Sequence, residues 1–419
     1  MKRVLVMGAG GRDFHNFNTF FRDNTEYKVE AFTWAQIPGV KFRGYPKELA
    51  GELYDEDIPI YDEKQLPQLI KRFNIDQVFF CYSDVSHEYV GHVAAAVNAA
   101  GADFVLKGPK GIQLNAGRPV VSVCAVRTGC GKSGLTRYIG TWLKDQGLDV
   151  VAIRHPMAYR DLLKQKAQRF ASFSDVQECT IEEREEFEPL IRAGIPVYCG
   201  VDYQEVINLL GLDKPQFVIW DGGNNDFSFL ESDLKITVVD PLRWEDTERY
   251  YPGEMNLLEA DVVVINKVNT APDKNIAELE SIIEYQNPGA QIIHASSDVD
   301  QDIDFEKELY GKKVCVVEDG PTLTHGGMPF GIGCLVVNNY TSKSQIADVI
   351  PAVGYNAEQL MELEERINEC DADIVLTTNQ VDLPSILKID KPVLQITYSN
   401  YFEDNKFDKI LMEFVRKNC

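Results

Sequence analysis

One stretch constrains this chain more than any other: VCAVRTGCGKSGLTR, from Val123 to Arg137. A hydrophobic strand feeds a glycine-bearing turn, and Gly131-Lys132-Ser133 then opens a helix. Backbone N–H groups in such a turn cradle phosphates, and the helix N-terminus adds a positive end. Thr128, Gly129, Cys130 and Gly131 supply the cradle. Lys132 is placed to reach β- and γ-phosphates, and the Ser133 hydroxyl to ligate Mg2+. The pattern G-x-x-x-x-G-K-[ST] asks for glycine at 126, where this chain has Val126. The stretch predicts a nucleotide site.

Two further segments belong with it. QFVIWDGGNNDF, Gln216 to Phe227, is a buried strand that delivers Asp221 to its carboxyl end, where phosphates lie in open α/β sheets. Asp221 is expected on Mg2+, directly or through water. Gly222 and Gly223 let the backbone pass close to a γ-phosphate. Asn224, Asn225 and Asp226 are candidates to order an attacking group or a second metal. ADVVVINKVNT, Ala260 to Thr270, carries Asn266-Lys267 after a strand, as in the base-reading N-K-x-D loop of GTPases, but ends in Asn269. An Asp accepts both guanine donors, whereas an amide complements adenine. ATP is therefore expected over GTP.

Cations and loops complete the set. Arg154, His155 and Arg160 follow a strand in AIRHPMAYRDL, and EDGPTLTHGGM packs Asp319, Thr324 and His325 into a loop with little helix or strand signal. Near the start, MGAGGRDFHNFN supplies Gly10, Gly11, Arg12 and His15 after a strand. That turn fits a small phosphorylated molecule; a purely structural turn or a dinucleotide site are its alternatives.

Short apolar runs alternate with amphipathic stretches along the chain, the pattern of an α/β fold with a mainly parallel sheet. A Rossmann-like domain over 1–116 is expected, followed by a P-loop NTPase-type domain over 117–419. Strands are expected at Lys2–Met7, Lys28–Trp34, Gln77–Cys81, Pro119–Val126, Asp149–Ile153, Gln216–Trp220 and Asp261–Ile265. Helices are expected at Ser86–Ala100, Lys132–Gln146 and Thr180–Arg192. The section from about Lys312 reads as a separate lobe or, preferably, as a continuation of the second sheet.

With 42 Lys+Arg against 65 Asp+Glu, the 419-residue chain has a net charge of −23. Such a balance argues against nucleic-acid and anionic-membrane surfaces, so an anionic ligand must be held by a local cluster of cations. No apolar run approaches the ~20 residues of a membrane span. The start MKRVLVMGAGG is too short an apolar stretch for a signal peptide. The 9 Cys are scattered without a CxxC pair, which suits a reducing cytoplasm and gives no zinc signature.

Together these residues resemble the cyclic 2,3-diphosphoglycerate synthetase family, a group also described as predicted GTPases of the P-loop class. The matching segments are MGAGGRDFHNFN, VRTGCGKS, IRHPM, VIWDGGNND, VINKV and VEDGPTLTHGGM, in that order from Met7 to Met328. Beyond about Asn338 no motif matches. The resemblance implies ATP-dependent closure of an intramolecular phosphoanhydride in 2,3-diphosphoglycerate, giving ADP and phosphate. Lys132, Mg2+ on Ser133 and Asp221, and Arg127, Arg154, His155 and His325 would then be catalytic. Thr128 to Ser133, Gly222, Gly223, Asn266, Lys267 and Asn269 would hold the nucleotide. Gly10, Gly11, Arg12, His15, Arg160, Asp319 and Thr324 would hold the small phosphorylated substrate. Arg127 stands where dimeric relatives of the P-loop class carry a Lys, so a homodimer with Arg127 acting across it is expected, or Arg127 acting in its own chain. The other readings are a GTPase switch or metallochaperone working with a protein partner, and a nucleotide-binding regulatory module.

Overall fold

The computed structural model describes residues 1–35, 44–155, 157, 158, 160–223, 225–299, 303–319, 331–340, 343–352 and 357–419. The first sheet contains β1 (Lys2–Met7), β2 (Tyr27–Trp34), β3 (Ile60–Asp62), β4 (Gln77–Phe80) and β5 (Asp103–Leu106). It is parallel throughout, in the order β3-β2-β1-β4-β5.

The second sheet contains β6 (Val120–Ala125), β7 (Val150–Arg154), β8 (Gln168–Phe170), β9 (Val197–Cys199), β10 (Phe217–Asp221), β11 (Leu234–Val239), β12 (Val262–Ile265) and β13 (Gln291–His294). Its order is β13-β12-β11-β6-β10-β7-β9-β8, parallel except for the antiparallel edge β8. Every residue of β6 is buried, as a strand covered on both faces requires. Val121, Val123 and Ala125 face one core, and Val120 and Cys124 the other. Strands leave β6 on both sides, so its carboxyl end is a topological switch point, where ligands bind in open α/β sheets.

The helices used below are α1 (Arg12–Asn16), α2 (His87–Ala100), α3 (Lys132–Asp145), α4 (Ile181–Arg192), α5 (Gly253–Glu259) and α6 (Lys406–Asn418). Local chemistry sets their ends. Ser86 caps α2 by accepting from the Tyr89 amide at 3.1 Å, and Gly101 closes it at φ +100°. Thr180 and Glu183 form a capping box on α4. The predicted strands and helices named above all form, with ends displaced by at most a residue or two.

The section from Lys312 takes the other of its two expected forms, a separate lobe rather than a continuation of the second sheet. β14 (Lys313–Asp319), β15 (Gln345–Ala352), β16 (Ile374–Thr377) and β17 (Val393–Gln395) form a separate parallel sheet in the order β15-β14-β16-β17. The reason is two-sided burial: Cys315 and Val317 pack with Leu363 and Ile367, while Val314 and Val316 pack with Val336 and Val337. That sheet has its own covers on both faces. The chain then returns, and Phe407, Leu411 and Phe414 of α6 join the core of the second sheet.

Candidate active site

Asp221 aligns with Val123 of β6 on one side and with Arg154 of β7 on the other. This register places the carboxyl ends of three strands side by side below the turn Val126–Gly131. Val126 sits where the glycine pattern breaks, and its surroundings explain why. It continues the strand, its N–H donating to the Val238 carbonyl at 3.2 Å. The close backbone approach is supplied from outside: a Cβ on Gly253, at the start of α5, would lie 2.1 Å from the Val126 carbonyl oxygen.

Side chains from other loops fix the turn. Lys267 donates to the Gly129 carbonyl at 2.7 Å and to Asp240 at 2.6 Å. Asn266 donates to the Cys130 carbonyl at 2.9 Å and accepts from Asn400 at 2.9 Å. Gly131 has φ +105°, and a Cβ there would meet Asn266 Nδ2 at 2.1 Å, so glycine is required on two counts. Asp84, Asn225 and Lys267 also occupy the left-handed region, at φ +56°, +52° and +59°. All three bind the turn or its cations, the usual place for stored backbone strain.

Lys132 is buried, and its ammonium donates to Asn225 Oδ1 at 2.5 Å. Burial pulls its pKa below the ordinary lysine value. Asn225 in turn donates to Thr128 at 3.0 Å. A buried ammonium whose hydrogen-bond acceptor is a neutral amide is undercompensated, and polyphosphate against the turn would complete it. The start of α3 carries no side-chain cap, which leaves first-turn N–H groups for an anion. These features fit a nucleotide. Among the described residues no group of three or more His, Cys, Asp or Glu could hold a metal ion. A divalent ion here would depend on phosphates and one or two side chains, as Mg2+ commonly does.

The two expected metal ligands have different partners. Asp221 accepts from Thr136 at 3.0 Å and ion-pairs with Arg154. Ser133 donates to Glu186 of α4 at 3.1 Å, and Arg154 bonds the other Glu186 oxygen at 2.6 Å. Arg127 pairs within its own chain with Asp84 at 2.8 Å and Asp246 at 2.7 Å, stacked on Tyr250. His155 lies between the glycine turns, where a Cβ on Gly11 or Gly223 would come within 2.8 or 2.9 Å of it. It also contacts Asp226 at 3.1 Å.

The N-terminal turn is arranged differently from a substrate site. Gly10 and Gly11 donate to the carboxylate of Asp13, two or three residues on, which fills the anion position from within. Burial pushes Asp13 up to about 6. Arg12 is 1% exposed and pairs with Asp226 at 2.8 Å and the Tyr82 carbonyl at 2.7 Å. His15 stacks on Phe229 and bonds the Ile112 carbonyl at 2.7 Å. Both lie in the wall between the first two sheets. Arg160 binds Glu183 and the Glu178 carbonyl near the start of α4. Asn269 holds Ser297 and Asp298 rather than facing the turn. Gly222 and Gly223 follow β10 as expected. Asp319 closes β14, while Asn224, Thr324 and His325 lie outside the described residues.

Glu186, Thr136, Asp84, Asp246 and Asn400 escaped the sequence reading. Glu186 sits in IEEREEFE, which reads as a solvated helix face.

Known proteins place this site in context. A protein of Thermococcus kodakarensis named arginine synthetase ArcE is 47% identical over 100% of this chain and 98% of its own length. The chain belongs to the arginine synthetase ArcE family. Residues 182–294 match the family described as CobW/HypB/UreG, nucleotide-binding domain. The chain is thus an enzyme of the ATP-dependent synthetase class with P-loop chemistry, and the resemblance drawn from its motifs holds at the level of the P-loop class. Among solved structures, LpxK from Aquifex aeolicus in complex with ATP shares 15% identity over 72% of this chain and 89% of that chain, at a TM-score of 0.46. HypB from Archaeoglobus fulgidus shares 16% over 43% and 82%, at a TM-score of 0.30. No helix among the described residues is long and apolar enough to cross a membrane.

Proposed function

We propose that this chain forms arginine by an ATP-dependent reaction at the P-loop. The γ-phosphoryl group passes to the ureido oxygen of a citrulline-type amino acid, and an ammonia-type amine then displaces phosphate. The observation that carries this reading is the end-to-end 47% identity to a protein named for arginine synthesis. The chemistry fits the site. A guanidinium differs from a ureido group by nitrogen in place of oxygen, and that oxygen leaves readily only as phosphate. The ureido O–P bond forms as the bond between γ-phosphorus and the bridging oxygen breaks, releasing ADP. A C–N bond then forms as the C–O bond breaks, releasing phosphate, and the amine's surplus proton goes to water.

Phosphoryl transfer is mostly positioning and charge neutralisation. Lys132 and the amides of Gly129 to Gly131 hold the β- and γ-phosphates, and Arg154 and His155 border the transferred group. Mg2+, when bound beside Ser133, neutralises charge between those phosphates.

Cyclic 2,3-diphosphoglycerate formation is the second reading, favoured by the ordered motif set from Met7 to Met328. It shares the first half of the chemistry and differs in the group that displaces phosphate. Purified protein is incubated with ATP and citrulline plus ammonium, with ATP and 2,3-diphosphoglycerate, or with ATP alone, and ADP and arginine are quantified. Arginine is expected in the first mixture only, in step with ADP. ADP release confined to the second mixture would replace the proposal with the alternative. Turnover indifferent to both acceptors would favour a GTPase-like switch.

A further inference from the structure

We propose that Glu186 is a carboxylate ligand of the divalent ion that accompanies the nucleotide, a role that P-loop patterning gives to the strand-end carboxylate Asp221. The inference rests on reading the turn as a Mg2+–nucleotide site. Mg2+ holds its oxygens at 2.0–2.1 Å in near-ideal octahedral geometry, which sets adjacent ligand oxygens about 2.9 Å apart. The Ser133 hydroxyl and Glu186 Oε2 lie 3.1 Å apart, already close to the spacing of two neighbouring ligands. An arriving ion needs only the hydroxyl to turn its proton away.

Asp221 is poorly disposed for that task. Its side chain is 1% exposed, one oxygen accepts from Thr136, and the other is ion-paired with Arg154. Binding a metal there means breaking a buried ion pair, which leaves a desolvated guanidinium behind and is costly. Glu186 shares the pairing with Arg154, but its side chain is 23% exposed where that of Asp221 is 1%, so an ion reaches it at less desolvation cost. Arg154 holds its Oε1 at 2.6 Å, which orients the carboxylate so that Oε2 faces Ser133. The helix beneath is fixed at its start by the Thr180–Glu183 capping box, and Asn379 of the third sheet's lobe binds the adjacent Glu185.

The test measures Mn2+ binding to the full-length protein with ADP, by the electron paramagnetic resonance signal of free Mn2+. ADP binding in chelator is measured separately. Glu186→Gln is expected to lower Mn2+ affinity of the ADP complex by at least ~10-fold, since losing even an outer-shell partner costs about that much, with metal-free ADP binding unchanged. Glu186→Asp keeps the charge one methylene further back and is expected to fall between the two, which preserves the test if the Gln variant folds poorly. Unchanged Mn2+ affinity in Glu186→Gln, with loss in Asp221→Asn, would overturn the assignment and leave the nucleotide site standing. A wild-type protein that binds neither ADP nor Mn2+ with it would overturn both.

Discussion

Lys132→Met separates the price of a functional cation from its use. Lys132 is buried, and its ammonium donates to the neutral Asn225. Desolvating an ammonium costs several kcal/mol, and a hydrogen bond from a charged donor returns only about 1.5–3 kcal/mol. Met keeps the stem and removes the charge, at the cost of leaving Asn225 Oδ1 without that donor. A net stabilisation of about 1–2 kcal/mol is expected, because the Asn225 amide keeps its bond to Thr128. Scaled to a chain of 419 residues, this raises the melting temperature by about 1–2 °C. With nucleotide the order inverts. At a hundredfold excess over Kd, binding stabilises the wild type by about 2.7 kcal/mol, and Lys132→Met loses most of that gain together with turnover. Differential scanning fluorimetry with and without Mg2+–ADP reads both effects. A nucleotide-induced shift equal to wild type would refute the placement of phosphates at this turn. A variant that melts below wild type without nucleotide would refute the view of Lys132 as a desolvated liability.

Arg12→Ala strands Asp226 in the wall between two sheets and is expected to cost about 3–5 kcal/mol in urea unfolding; a loss below ~1 kcal/mol would rule out the buried pair as a tie. Burial pulls His15 down to about 3 from 6.5, so acid protonates it in the unfolded chain only, and its contribution is lost below pH ~6.5 at up to about 1.4 kcal/mol per unit. Asp13, pushed up to about 6, takes its proton in the fold first, so its contribution rises on acidification from pH ~6 to ~4 and the two offset each other there. His15→Phe should therefore gain on wild type by about 2–3 kcal/mol between pH 6.5 and 4.5, and parallel pH profiles would sink this. Asn269→Asp sets a carboxylate against Asp298, now 2.8 Å from the amide. It is expected to lower stability without the switch to GTP that the N-K-x-D analogy suggests, and Asp298→Asn in addition should restore it; GTP preference in the single variant by competition binding would restore the analogy.

The strand–turn–helix at Val123–Arg137 was legible because it is local: apolar run, glycines and helix start follow one another in the chain. The Arg154–Asp221 pair was not, because it arises from β7 and β10 lying side by side, a neighbourship between strands far apart in sequence. The ring around Arg127 draws Asp84, Asp246 and Tyr250 from three separate segments. Glu186 hides in a run of acids that periodicity assigns to solvent, yet Glu183 and Glu188 of the same helix are each 1% exposed because α4 is packed between lobes. The first glycine turn misled for a local reason. A donor-rich turn attracts any carboxylate, and Asp13 is the nearest one.

A net charge of −23 poses the question of how such a body admits a polyphosphate. In this arrangement Arg12 is matched to Asp226, Arg127 to Asp84 and Asp246, Arg154 to Asp221 and Glu186, and Lys267 to Asp240. Lys132 differs from these four in having a neutral hydrogen-bond acceptor. A nucleotide entering the turn therefore meets in Lys132 a cation that need not be taken from a carboxylate, while contact with Arg12, Arg127 or Arg154 competes with an ion pair. A divalent ion on Glu186 Oε2 would leave Arg154 on Oε1 and on Asp221, so that arginine still has to share its pairs to reach a phosphate. Charge matching thus leaves Lys132 as the natural first contact for phosphate, with the paired arginines around it as costlier ones.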